Sequence, residues 1–235
     1  MSSQISTAFV NQYSSNIQML SQQMGSLLRG AVDVESVNGE KAFFDQVGSA
    51  AAVLRTTRHA DTPLIDTPHS RRMVTMSDYE YADLIDDQDK VRLLVDPTST
   101  YARAAASAMG RAMDDVIIAA AIGTAKTGKD GSTSTALPST QKIAHGSANL
   151  TIAKLLSAKQ IMDESSVDPS ISRYLVCAPD QISALLGTTQ VTSSDFNTVR
   201  ALATGEINSY LGFNFIVSNR LTTDSDGNRA VIAFA

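Results

Sequence analysis

Tryptophan is absent from this 235-residue chain, cysteine occurs once, and charged and aromatic side chains are held to 18% and 6%. Each scarcity excludes something. The single thiol, Cys177, forms no intramolecular disulfide, so the chain is no stapled secreted scaffold and suits a reducing compartment or indifference to redox. The three histidines, His59, His69 and His145, lie far apart and offer no zinc-ligand spacing. No apolar run approaches the roughly 18 residues of a membrane span, and the N-terminus carries neither a basic leader nor a continuous apolar signal core. A net charge of −5 argues against a nucleic-acid-binding surface over the whole chain, although a local patch stays open.

What is present is mostly small: 30 Ala, 28 Ser and 21 Thr make up about a third of the residues. With 43% hydrophobic residues and so little net charge, the chain collapses rather than staying disordered. The length suits one large domain or two small ones at roughly 150 residues each.

Along the chain, Ile5, Phe9, Tyr13, Ile17, Leu20, Met24 and Leu27 recur at helical spacing and predict a helix over residues 3–29, stopped at Gly30. Its other face is Ser, Gln and Asn with only Arg29 charged, so it packs on protein rather than on a membrane surface. Residues 41–92 differ. Short β-like runs, Ala52-Val53-Leu54 and Met73-Val74-Thr75-Met76, are interrupted by Gly48, Pro63 and Pro68, and the charges separate by sign. Arg55, Arg58, Arg71 and Arg72 are interspersed with Asp61 and Asp66 alone; Asp78, Glu80, Asp83, Asp86, Asp87 and Asp89 follow before Lys90. Too few large apolar residues are present for a core, so this is an extended β-hairpin or long excursion packing on something else.

Asp96-Pro97-Thr98-Ser99 opens an alanine-rich helix over about 99–126, roughly 40 Å long, with a face lean enough for other backbone to approach closely. Residues 127–149, rich in Gly, Ser and Thr, read as a surface loop with one strand at most. A helix at 150–165, a buried strand at 173–178, a helix from Pro179 to Leu186, a strand at 212–218 and a final strand at 230–234 after an Asp224–Asn228 turn complete the chain. Helices and strands mix without regular βαβ spacing, which is α+β.

No motif assembles catalytic chemistry. Gly123-Thr124-Ala125-Lys126-Thr127-Gly128-Lys129-Asp130 fits G-x-x-x-x-G-K, but Asp130 replaces the hydroxyl that would hold magnesium and a helix precedes it where a strand is needed. Asp83, Asp86, Asp87 and Asp89 lack the order and glycine of a calcium loop and read as a solvated or intersubunit face. Asp224 to Asn228 has nothing acidic at the twelfth position, Cys177 lies in an apolar strand as an inert thiol, and Asn149-Leu150-Thr151 is a sequon only in a secreted chain. No catalytic residue, metal ligand or cofactor site is assigned.

The order of elements resembles the major capsid proteins of tailed bacteriophages, the Hong Kong 97-type fold. Val91-Arg92-Leu93-Leu94-Val95-Asp96-Pro97-Thr98-Ser99-Thr100-Tyr101, running into Met109-Gly110-Arg111-Ala112-Met113-Asp114-Asp115 and closed by Ala119-Ala120-Ala121-Ile122-Gly123, is similar to the spine helix of one branch of that family. Leu211-Gly212-Phe213-Asn214-Phe215-Ile216-Val217-Ser218-Asn219 resembles the strand that leaves its axial domain. The resemblance implies an N-terminal arm at 1–40, an extended loop at 41–92, a peripheral domain with the spine helix at 93–146, and a mainly axial domain at 147–235. It also implies a further peripheral return segment, so the chain is expected to be short by one.

By the same resemblance the protein self-assembles into an icosahedral shell enclosing double-stranded DNA without sequence-specific binding. Copies would meet as hexamers and pentamers with portal and scaffold or decoration proteins, without a membrane, in the virion capsid after assembly in the bacterial cytoplasm. Packaged DNA is confined by closure of the container, so an acidic subunit is compatible with it. Candidate intersubunit contacts are Arg55, Arg58, Arg71, Arg72, Asp83, Asp86, Asp87 and Asp89, with Arg71 or Arg72 meeting an acidic surface on the next subunit. Lys41 and Lys90 are the lysines near the loop, and no feature selects either for covalent cross-linking. The alternatives are a same-fold nanocompartment of encapsulin type, a gene-transfer-agent shell and, remotely, a soluble enzyme.

Overall fold

Residues 21–58, 61–83, 98–187, 209–223 and 227–235 are described by the structure, a computed structural model. The chain is a mixed α/β protein that divides into two units, Met1–Leu27 with Asp78–Asp114 and Leu28–Ser77 with Asp115–Ala235.

In the first unit the leading part of helix α1 (Thr98–Ile122) carries a strap of irregular backbone. Here the structure corrects the expected helix at 3–29: residues 3–20 lie outside the described set, and 21–28 are not helical. Gly25 takes φ +77, a left-handed conformation that ends any helix there. The polar side chains then bond across to α1. Gln23 Nε2 donates to Asp114 Oδ2 at 2.6 Å, Ser26 Oγ to Asp114 Oδ1 at 2.5 Å, and the Leu27 N–H to Asp114 Oδ2 at 3.1 Å. Arg111 Nη1 donates to Gln22 Oε1 and to the Gln23 carbonyl at 2.9 and 3.1 Å. A Cβ on Gly110 would lie 2.4 Å from the Gly25 carbonyl carbon, so only glycine lets the strap approach. Gly30 lies within a single 3-10 turn, Arg29–Ala31, and ends no α-helix.

The second unit holds two four-stranded sheets. The first has the order β1 (Lys41–Val47), β2 (His69–Thr75), β3 (Ala125–Thr127), β4 (Thr133–Thr135), antiparallel throughout. Helix α1 stops at Ile122 rather than near 126, because Gly123 breaks it and Ala125 already belongs to β3. The region expected as a loop with one strand thus contains a short hairpin. Gly131 in its turn takes φ +67, and a Cβ there would lie 2.9 Å from Met73 Cβ on β2, so the turn packs on that strand.

The second sheet has the order β6 (Ser209–Tyr210), β7 (Phe213–Val217), β5 (Arg173–Cys177), β8 (Ile232–Phe234). Strand β5 runs parallel to β7 and antiparallel to β8. Strand alternation sends its residues two ways. Leu175 and Cys177 enter one core with Leu150, Leu155, Ile182, Leu185 and Phe213, beside helices α2 (Ile152–Glu164) and α3 (Pro179–Leu186). Val176 and Ala178 enter another with Leu28, Ile118 and Leu221. Between β6 and β7, Leu211 and Gly212 both take positive φ, 54° and 87°. That pair closes a tight hairpin turn and keeps Leu211 against the first core. The expected turn at 224–228 falls partly outside the described residues, and the antiparallel bridge Thr223↔Arg229 closes around it.

Two polar clasps hold the α2 region. Thr151 Oγ1 caps α2 by accepting from the Lys154 N–H, while Lys154 Nζ donates to the carbonyls of His145, Ala148 and Asn149. Arg173, with 7% of its side chain exposed, bonds Asp163 at 2.7 Å and the Val167 carbonyl at 3.2 Å.

Two stability measurements test these packing arguments. Asp163→Ala strands a buried guanidinium and is expected to cost about 1–3 kcal/mol in denaturant unfolding, less than a fully buried pair because Asp163 is half exposed. Asp115→Ala removes the more exposed Arg220 pair and is expected to cost about 1 kcal/mol or less. Equal losses would overturn the burial argument. Gly131→Ala forces both a disfavoured φ and a clash with Met73, and a loss of about 1–3 kcal/mol in thermal unfolding is expected.

Candidate functional site

The excursion at 41–83 is built on the β1–β2 pair, in register from Lys41↔Thr75 to Val47↔His69. Bonds from the Met76 N–H to the Glu40 carbonyl and from the Gly48 N–H to the Pro68 carbonyl extend it at both ends. Seven residues per strand give a reach of roughly 23 Å. Beyond the strands the chain continues through a long connection without regular structure among its described residues, so Ala52-Val53-Leu54 is not a strand. Pro63 and Pro68 withhold backbone donors there.

The register explains where the charges go. Directly opposite residues share a sheet face, so Asp45 meets Arg71. Their contact is bidentate, Nε to Oδ1 at 2.5 Å and Nη2 to Oδ2 at 3.0 Å, with the guanidinium 5.7 Å from the centre of the Phe43 ring. The Arg71 hydrogen bond holds the Asp45 carboxyl below the usual range, and the same bond raises Arg71. Arg71 therefore has a partner in its own chain, which the sign-sorted reading of the sequence did not include. Arg72 points to the opposite face and is exposed, opposite Phe44. Arg55 folds back onto the carbonyls of Thr57 and Arg58 at 3.0 and 2.5 Å, and Arg58 and Asp83 are exposed. Asp86, Asp87, Asp89 and His59 lie outside the described residues.

Apolar exposure is concentrated on the same excursion. Leu54 and Leu64 are 85% and 99% exposed, with Val53, Ile65, Val74 and Met76 also open to solvent. An open hollow of about 660 Å³ lies beside the strand pair, lined by Asp45, His69, Ser70, Arg71, Thr127, Gly128 and Lys129. Strand alternation turns Ser70 away from the face that carries His69 and Arg71, so hydroxyl and imidazole do not pair.

The remaining motifs resolve into structure. In the G-x-x-x-x-G-K run, Gly123 ends α1, Ala125–Thr127 is β3 and Gly128 turns the hairpin at φ +90, so no helix follows to receive a phosphate. Lys126 Nζ donates to Ser134 Oγ at 2.9 Å across that hairpin. The Cys177 thiol is buried, and desolvation with the charge of Asp180 pushes it up to about 12, far from a thiolate nucleophile. His145 Nδ1 accepts from the Ser147 N–H at 3.0 Å and so orders its own loop. Among the described residues no cluster of three or more His, Cys, Asp and Glu has metal-binding geometry, and no helix is long and apolar enough to cross a membrane.

Comparison with known proteins returns one answer. No curated protein matches the sequence. Solved structures do: the capsid of cyanophage P-SCSP1u is 19% identical, with 97% of this chain and 77% of that one covered at a TM-score of 0.66. The capsid of Ralstonia phage GP4 is 12% identical, with 90% and 73% covered at 0.63. The mature capsid of bacteriophage PhiM1 is 14% identical, with 91% and 68% covered at 0.62. At such identities the likeness carries the fold. The family described as phage capsid protein matches residues 5–235. With its sequence matched from residue 5 to its last residue and its fold shared by capsid subunits of several phages, the chain belongs to the phage capsid protein family.

Proposed function

We propose that residues 41–92 act as an extended loop lying across a neighbouring copy of this chain. The protein itself is structural: as a family member it is the major capsid protein of a phage shell assembled from copies of itself. The observation that supports the loop's role is the outward set Val53, Leu54, Leu64 and Ile65. Burying such a side chain gains roughly 1.5–3 kcal/mol, and its own chain leaves most of that unrealised. In a shell every copy offers the same loop to the same kind of neighbour, so one heterologous contact is repeated until the shell closes.

The finer architecture belongs to this proposal. It is Hong Kong 97-type, with the arm at 1–40, a peripheral domain at 93–146 built on α1, and a mainly axial domain at 147–235. Hexamers and pentamers, portal and scaffold or decoration proteins, enclosed double-stranded DNA and assembly in the host cytoplasm complete it. Within the loop, Arg72 is the exposed strand cation and Arg71 is already engaged by Asp45, so Arg72 is the better candidate for an acidic surface on the next subunit.

Negative-stain imaging of the expressed chain is expected to show shells, tubes or capsomers, and their absence would overturn the shell-subunit assignment. Leu54→Ser with Leu64→Ser is expected to leave circular dichroism unchanged while particle yield falls severalfold. Undiminished yield would remove these residues from the contact. Arg72→Glu is expected to weaken assembly and flatten its salt dependence, since an ion pair is screened within about 8–10 Å at ordinary ionic strength. Unchanged assembly and salt response would show that Arg72 faces solvent.

A further inference from the structure

The strap at residues 22–27 is inverted in polarity. Its polar side chains, Gln23 and Ser26, turn inward to α1, whereas Met24 and Leu27 are 66% and 43% exposed. Three strap donors converge on the one carboxylate of Asp114, which is itself 0% exposed. Arg111, one turn earlier, holds Gln22 and the Gln23 carbonyl, and Gly110 admits the Gly25 backbone. Such a contact differs in kind from the cores of the second unit. Opening it returns amides, a hydroxyl and the Asp114 carboxylate to water, where they find new partners.

We propose that the strap is a latch, in which the Asp114 carboxylate fixes residues 22–27 to α1 and the segment opens as one unit while the β5 cores stay folded. Since one carboxylate receives all three donors, its loss releases them together. In the closed state the latch presents Met24 and Leu27 outward. Opening frees the backbone to turn about Gly25 and present the other face.

Hydrogen–deuterium exchange on the full-length chain, read by mass spectrometry with limited proteolysis alongside, tests the proposal. In Asp114→Asn an amide replaces one accepting oxygen with a donor, and exchange over 22–27 is expected to quicken at least about tenfold, with new cleavage there. Exchange at Leu175 and Val176 is expected to stay unchanged. A second variant, Gln23→Ala with Ser26→Ala, removes two donors from the strap side and leaves α1 intact. It is expected to act in the same direction and carries the test if Asp114→Asn fails to fold. Unchanged strap exchange in a folded variant would overturn the latch. So would strap and β5 exchange that rise together, because the strap would then be part of the global fold.

Discussion

Strand β5 is the constraint on which the larger unit rests, because both of its faces are buried. Leu175 and Cys177 close one core, and Val176 and Ala178 close the other. A strand in that position has no solvated face, so a shift of register by one residue exchanges the contents of two cores at once. Its neighbours follow from this. Parallel β7 and antiparallel β8 satisfy its backbone on either edge, α3 leaves directly from its end through Pro179, and Arg173 at its start is held by Asp163. The same strand takes the thiol of Cys177 out of chemistry. Among the described residues, the buried cores of the larger unit are built around a five-residue segment.

Burial bears on which parts of the fold were legible in the sequence. Elements with apolar side chains on every face, or with strong punctuation, stood out: β5 between polar stretches, α3 between Pro179 and Gly187, α1 after Pro97. The strap misled because Leu20, Met24 and Leu27 have helical spacing while the deciding partner, Asp114, lies 91 residues beyond Gln23. Periodicity carries no information about a distant carboxylate. The β3–β4 hairpin was hidden for a different reason. Its strands are three residues each and made of Ala, Lys, Ser and Thr, too short and polar for an alternation pattern.

The excursion was legible as a long outward element but not in its pairing. The arginines were visible at once, yet the partner of Arg71 became identifiable only when the register set Asp45 opposite it, 26 residues away in sequence. The register then separated two neighbouring arginines that composition treats alike: Arg71 pairs with Asp45 on one exposed face of the hairpin, and Arg72 lies exposed on the other. Family membership came from the whole chain rather than from a motif. That suits a container subunit, whose function is distributed over surfaces instead of a cleft.

The first sheet has β1 and β4 at its two edges. Strand β4 is short and carries only Thr and Ser, whereas β1 runs seven residues through Phe43 and Phe44 with a free edge among the described residues. A free edge of that length invites another strand, and pairing edge to edge has no built-in stopping point. Lys41 and Asp45 place opposite charges on that edge strand, and Arg71 on its hairpin mate donates to Asp45. Charge carried on an open edge is a general means by which a sheet avoids recruiting a second strand.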